Sequence, residues 1–327
     1  MEVTFYHRLS KEQESLWREF LQKQNLIPGE VPETVFFLHD GTELIGTASL
    51  SGDLIQYFAI DPARRGEDLA AVLLTAVKNH AFQSGIERLT LLTKPENRRL
   101  FAGLLFEPVA ETSSAIFMES PGGGIDELLS NAPEVFGKVG SIVMNADPFT
   151  LGHRFLIETA AKECDFVFVF VLSEEKSFFS AKDRILMVKE GVSDLPNVFV
   201  LPTGRYLVSE ATFPTYFLKD RQKVTEAFCD MDIAVFLEKF VPALSISVRY
   251  LGTEPSDPVT NAYNAALLKA LPENGVAIRL VERKNAEGEP VSAKAVRRLL
   301  TQKEFVQAAA LLPESTVSYL KSHSFFD

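Results

Sequence analysis

Two short stretches of this 327-residue chain carry side chains whose types and spacing suit the handling of phosphate. The first is Asn145-Ala-Asp-Pro-Phe-Thr-Leu-Gly-His153, which follows a strand-like apolar segment (Val139, Ile142, Val143, Met144) and leads into the amphipathic pattern Phe155–Lys162. A turn rich in Asn, Asp and Pro thus delivers Thr150, Gly152 and His153 to a helix N-terminus. There, unpaired N–H groups and the positive end of the helix dipole favour an anion. Gly152 lets backbone come close to a ligand, and Thr150 and His153 can both hydrogen-bond a phosphate. A capped helix with a surface histidine is the plainer reading of this stretch alone. The second stretch is Val291-Ser-Ala-Lys-Ala-Val-Arg297, after the strand-like Val276–Glu282. Ser292 fits an N-cap and Arg297 follows within the same helix. A hydroxyl, free N–H groups and a guanidinium fork then surround one anion, as a leaving pyrophosphate needs. Taken alone it is an ordinary basic helix start.

Further candidates lie after other strand-like segments. Lys176 stands just past Phe166–Leu172, where a lysine can reach an α-phosphate or a substrate carboxylate, and Arg184 lies one turn into the next helix. A solvated charge run accounts for both equally well. Ser180 and Asp183 read as a capping pair. The loop Gly204–Lys219, dense in hydroxyls and aromatics, suits closure over a small substrate, and Gly252-Thr253 follow the fourth strand.

These residues need elements to position them. The first 120 residues or so read as α+β: strands at Phe5–Leu9, Val35–His39, Leu44–Leu50, Leu54–Ile60, Arg88–Thr93 and Ala115–Glu119, with helices at Lys11–Gln24, Leu69–Gln83 and Asn97–Leu105. Asp40-Gly41 is a hairpin-turn dipeptide. Pro121-Gly-Gly-Gly124 breaks regular structure, so the expected organisation is a first domain over 1–124, a linker over 125–136 and a second domain over 137–327. The second domain alternates strand and helix, with a long helical region from about Pro214 to Leu244. Its continuously apolar strands, such as Phe166–Leu172, are what a parallel sheet covered on both faces requires. The expected fold is α/β: a doubly wound parallel sheet with its ligand at the strand C-terminal ends.

Composition narrows the field. A net charge of −11 argues against general nucleic-acid binding. Two cysteines cannot build a disulfide framework or a metal cluster, and only His153 of five histidines sits in a motif. No apolar run is long enough to cross a membrane, and the start carries no secretory pattern, so a reducing cytoplasm is the expected setting.

Thr150-Leu-Gly-His153 resembles the T/H-x-G-H signature of the nucleotidyltransferase superfamily, whose members bring a nucleophile to the α-phosphate of ATP and release pyrophosphate. Val291–Arg297 resembles that superfamily's I-S-S/A-S/T-x-x-R element, with Lys294 in place of the usual hydroxyl. The first 120 residues resemble the GNAT acyltransferase fold. In its phosphate loop Ala63 stands where Arg or Gln is usual and Asp68 where Gly or Ala is usual, with Arg64 and Arg65 beside them; Leu105 replaces a customary Gly. The stretches Asn145–His153, Glu175–Phe179, Ala211–Lys219, Glu254–Asn264 and Val291–Arg297 together resemble the citrate lyase ligase family.

That resemblance implies an enzyme using ATP with Mg²⁺ to turn acetate into acetyl-adenylate. The acetyl group then passes to the thiol of the dephospho-CoA-like prosthetic group on the citrate lyase acyl carrier subunit. It implies catalytic roles for Thr150, His153, Lys176 and Arg297, nucleotide contacts from Asn145, Gly152, Arg184, Gly252, Thr253, Ser292 and Lys294, and no protein metal ligands. The altered loop implies that the first domain keeps the acyltransferase fold without its acetyl-CoA chemistry. Two rivals are an adenylyltransferase acting on a phosphorylated cofactor precursor and a nucleotide- or CoA-binding protein without turnover.

Overall fold

The computed structural model describes every residue except 65, 174–176, 208–215, 218–220, 254–257, 283–284, 287–288, 324 and 326–327. The chain forms two compact units, each assembled from two pieces: Met1–Gly124 with Phe213–Ala234, and Ile125–Thr212 with Val235–Asp327. Two expectations change here. The stretch read as a linker begins with helix α4 (Gly124–Ser130), because Ile125 and Leu129, four apart, bury on one face. The segment 213–234, read as part of the second domain, packs with the first.

In the first unit, strands β1 (Glu2–Tyr6), β2 (Thr34–Asp40), β3 (Glu43–Ser51), β4 (Leu54–Ile60), β5 (Thr90–Thr93), β6 (Glu107–Glu111) and β7 (Ile116–Glu119) form one sheet in the order β1-β2-β3-β4-β5-β7-β6. Helix α1 (Lys11–Lys23) starts with a capping box: the Ser10 side chain accepts from Gln13 N while Gln13 Oε1 accepts from Ser10 N. Helix α2 (Leu69–Gln83) buries Leu69, Leu73, Val77 and Ala81 at four-residue steps. Helix α3 (Arg98–Gly103) ends before Leu105, which sits in the left-handed region at φ 68 while its side chain is exposed. That is the conformation a glycine would adopt without strain.

The one parallel contact in this sheet, β4 with β5, lasts only for Leu54↔Thr90 and Ile55↔Leu91. Beyond it a cavity of about 770 Å³ opens, lined by Phe58, Ile60, Leu92 and Thr93 among others, and by Tyr216 and Phe217 from the second chain piece. Tyr216 donates from its hydroxyl to Leu92 O at 3.2 Å, its ring lies 4.4 Å from that of Tyr57, and its carbonyl accepts from Ile27 N at 2.8 Å.

The second unit holds a five-stranded, wholly parallel sheet: β8 (Val139–Met144), β9 (Phe166–Val171), β10 (Val198–Pro202), β11 (Ile246–Gly252) and β12 (Ala277–Val281), in the order β10-β9-β8-β11-β12. Its helices are α4, α5 (Leu151–Glu163), α6 (Ala181–Gly191), α8 (Val241–Leu244), α9 (Pro258–Glu273), α10 (Ala293–Thr301), α11 (Phe305–Ala309) and α12 (Glu314–Ser322), while α7 (Arg221–Val235) belongs to the first unit except for its last residue. A two-residue hairpin of β13 (Asn285–Ala286) and β14 (Glu289–Pro290) precedes α10.

Alternate residues of each strand face opposite layers. Val167, Val169, Ile142, Met144, Val248 and Tyr250 share a core with Ile157 of α5, Met187 of α6 and Val296 of α10. Phe168 and Phe170 face the other way, with Phe170 edge-on to Phe240 at 5.1 Å. The helical region expected from about Pro214 to Leu244 is interrupted by a π-turn, Phe236–Phe240. Pro242, just beyond, lacks an N–H and crowds the preceding turn, which favours such widening.

The chain lays down β8, β9 and β10 in one direction and then returns to place β11 on the opposite side of β8. That reversal makes a switch point between β8 and β11, where open α/β sheets bind ligands at their strand C-terminal ends.

Candidate active site

The turn after β8 ends in a reciprocal cap on α5. Thr150 Oγ1 accepts from His153 N at 3.4 Å, and His153 Nδ1 accepts from Thr150 N at 3.1 Å. Because a backbone N–H is always a donor, Nδ1 acts here as the unprotonated nitrogen. The neutral ring therefore carries its proton on Nε2. The ring stacks on Phe149, 12° from parallel with centroids 6.0 Å apart, and Phe149 is buried. Thr150 is also buried. The cap fixes both the orientation and the tautomer of the histidine.

The second motif meets the first. Ser292 caps α10 by accepting from Ala295 N at 3.1 Å. A Cβ on Gly152 would lie 3.2 Å from Val291 O, so glycine is what allows the two helix starts this close approach. Arg297 NH1 donates to Asp147 O and lies 3.4 Å from Asp147 Oδ2. One end of the guanidinium thus ties α10 to the turn after β8. The expected pyrophosphate clamp is in part a strut. Lys294 is exposed on the first turn of α10.

Two buried groups hold this turn, and sequence reasoning assigned neither that job. Asp147, 4% exposed, accepts from Phe179 N at 2.9 Å and Phe178 N at 3.1 Å, drawing the segment after β9 against the turn. Arg184, expected at the nucleotide, is wholly buried. It donates to Asn145 O at 2.9 Å, to Asn145 Oδ1, to Leu172 O at 2.8 Å and to Phe179 O at 3.2 Å. Its guanidinium joins the C-terminal ends of β8 and β9, and in doing so occupies the side chain of Asn145. The signal for Asp147 was its place between two strand ends, where a carboxylate can collect backbone donors. Arg184 gave no signal beyond its position.

Gly252 ends β11 at the same edge, with open space where a Cβ would stand, and Thr253 N donates to Val281 O at 3.1 Å. Lys176 lies outside the described residues. Ser180 and Asp183 form the expected cap of α6, and Tyr319 OH donates to Asp183 Oδ1 at 2.8 Å. In the first unit, Arg64 donates to both oxygens of Glu67 and to Asp40 Oδ2. These carboxylates, Glu67 first, raise its pKa further. Arg64 is therefore paired within the protein rather than with Asp68.

Two capped helix starts meet at the switch point of a parallel sheet, an α/β arrangement that resembles a nucleotide-binding domain. Residues 139–320 match the family described as citrate lyase ligase C-terminal domain, and residues 3–102 match the acetyltransferase (GNAT) family. The chain is 40% identical over 285 residues to the citrate (pro-3S)-lyase ligase of Klebsiella pneumoniae, covering 85% of this chain and 83% of that one. It is 34% identical over 328 residues to the Haemophilus influenzae enzyme of the same name (97% and 98% covered), and 33% identical over 313 to that of Escherichia coli K12 (93% and 89% covered). The chain belongs to the citrate lyase ligase family, and it is an enzyme.

Proposed function

We propose that this chain acetylates the thiol of the citrate lyase acyl carrier subunit from acetate and ATP. In the first step an acetate oxygen attacks the α-phosphorus, and the bond to the bridging oxygen breaks to release pyrophosphate. In the second, the carrier sulfur attacks the acetyl carbon, AMP leaves and the thiol proton is released. Acetate is a weak nucleophile, so the site must align it and stabilise charge on the phosphates.

One observation carries the reading: the Thr150–His153 cap leaves Nε2 as the donor end of the ring, at a helix start that meets the start of α10. The N–H groups of both helix starts and the exposed Lys294 favour a polyphosphate at this edge. Mg²⁺ would come with the triphosphate and neutralise part of its charge. Among the described residues no group of three or more His, Cys, Asp and Glu side chains gathers to hold one.

A second reading concerns the carrier arm. The cavity beyond the β4–β5 contact, about 770 Å³ and lined by both apolar and polar residues, suits an extended chain with amide groups, such as a pantetheine-type arm. The first unit then receives the arm rather than acetylating from acetyl-CoA. The commitment of Arg64 to Asp40 and Glu67 favours this over an acetyl-CoA enzyme.

ATP–pyrophosphate exchange tests the proposal. Exchange that requires acetate supports it. Exchange that requires a phosphorylated acceptor instead identifies an adenylyltransferase, and a folded protein that binds ATP without exchange identifies a binding protein.

A further inference from the structure

Among the described residues of the second unit two arginines are buried, and they differ in how their donors are met. Arg184 spends its guanidinium on carbonyl and amide oxygens, as described above. Arg249, on β11, is 1% exposed, yet its Nε and NH1 are buried without any hydrogen-bond partner. Its NH2 lies 3.5 Å from Tyr263 OH, at the outer limit of a hydrogen bond, and its Cζ stands 4.3 Å from the centroid of the Phe236 ring. No carboxylate among the described residues pairs with it. A cation–π contact recovers only part of what burying an unpaired guanidinium costs. Such a group is either a standing defect or half of an ion pair whose other half comes from outside.

Its place favours the second alternative. β11 borders β8 at the switch point, and register aligns Arg249 with Ser141 of β8, which in turn aligns with Phe168 of β9. In a parallel sheet these three share a face. Ser141, the smallest of the three side chains, is the cross-strand neighbour of Arg249. Phe236 belongs to the π-turn, an irregularity frequent at functional sites. Arg249 is three residues from the C-terminal end of its strand, about 10 Å. Tyr263, in the second turn of α9, stands on the helix that starts from the same edge.

The missing anion must be small, because the surroundings are packed, and singly charged, because one guanidinium is present. It must also tolerate aromatic neighbours. A short carboxylate meets all three conditions, and its two oxygens match the guanidinium fork. Resting on the acetate-activating reading above, we infer that Arg249 is the residue that recognises the carboxylate of the acid to be adenylated, with the Phe236 ring limiting its chain length.

Arg249→Met and Arg249→Lys in the full-length protein test this through two readouts. In acetate-dependent pyrophosphate exchange, Arg249→Met raises the acetate KM about 30-fold or more and leaves the ATP KM within about threefold, while Arg249→Lys falls between the two. Independently of turnover, acetate raises the melting temperature of the unaltered protein above a chloride control of equal ionic strength, and this shift disappears in Arg249→Met. If Arg249→Met folds and keeps both the acetate KM and the shift, the assignment is overturned and Arg249 is only a packing residue. If Arg249→Met fails to fold, Arg249→Lys decides: an unchanged acetate KM and shift overturn the assignment. Absence of exchange in the unaltered protein together with an Arg249-dependent acetate shift would sink the adenylating reading and leave the carboxylate site standing.

Discussion

Replacing Asp147 by Ala removes a buried carboxylate from the turn after β8 while leaving the capping residues Thr150 and Ser292 in place. Two backbone N–H groups, Phe178 N at 3.1 Å and Phe179 N at 2.9 Å, lose a charged acceptor in a place that is 4% exposed. A hydrogen bond to a charged group contributes about 1.5–3 kcal/mol. The Arg297 ion pair, at 3.4 Å with the arginine side chain 32% exposed, adds little. The total is about 3–6 kcal/mol, and at ~2–4 °C per kcal/mol for a unit of this size the melting transition falls by about 6–24 °C. Asp147→Asn keeps one acceptor and loses about half as much. Because the carboxylate also sets how α10 and the post-β9 segment meet the turn before Thr150, acetate-dependent exchange drops about 10–100-fold in each folded variant. Calorimetry and exchange kinetics on the same preparations read both effects. A folded Asp147→Ala protein that melts within 2 °C of the unaltered one, at undiminished turnover, would refute the view that this carboxylate organises the site.

Five further substitutions give separate tests. His153→Ala removes the imidazole donor and is expected to slow adenylate formation by roughly two to three orders of magnitude; near-normal pyrophosphate release from a folded mutant would remove His153 from the chemistry. Arg297→Ala combines a lost strut with a lost cation, so ATP use weakens strongly, whereas Lys294→Ser, at an exposed position, changes the ATP KM less than about threefold; equal damage from both would mean the α10 motif works differently. Gly191→Ala places a Cβ 2.3 Å from Phe149 Cε1. The displaced ring is the one stacked on His153, so about 1–3 kcal/mol of stability and part of kcat go together; full activity would show that the ring does not position the histidine. Leu105→Gly relieves a left-handed, exposed leucine and raises stability by about 0.5–1 kcal/mol in urea unfolding, and a loss instead would mean the leucine side chain packs usefully.

What the sequence disclosed, it disclosed through local chemistry. The unbroken apolar run of β9 announced a buried parallel strand, and the spacings of Thr150 to His153, Ser180 to Asp183 and Ser292 onward announced helix starts. Such features depend on neighbours three or four residues away. The misread residues depend on distant ones. Arg184 looks like any first-turn cation until the carbonyls of Asn145, Leu172 and Phe179 close round it. Tyr216 sits in a run that suggests a substrate loop, yet its partners Tyr57 and Leu92 lie more than a hundred residues earlier. Arg249 did carry a signal: a charge in the middle of the apolar strand Ile246-Ser-Val-Arg-Tyr-Leu251 is rare without a purpose. The pairing of Thr150 N with Nδ1, which favours one tautomer, depends on the fold of the turn and has no signature in the sequence.

The interleaving of the two units bears on how the protein is made. On the ribosome the seven-stranded sheet has emerged by residue 124, but the piece bearing Tyr216 follows roughly 90 residues later. At about 5–20 residues per second the gap lasts some seconds. Over that interval the space between β4 and β5 is without its closing tyrosine, while β8, β9 and β10 wait for β11. Neither half can finish as a free-standing module, because each borrows its last segment from beyond the other. A chain begun near Pro133 would therefore leave Tyr216 without Tyr57, Leu92 and Ile27, so separating the roles of the two units calls for point substitutions rather than a cut.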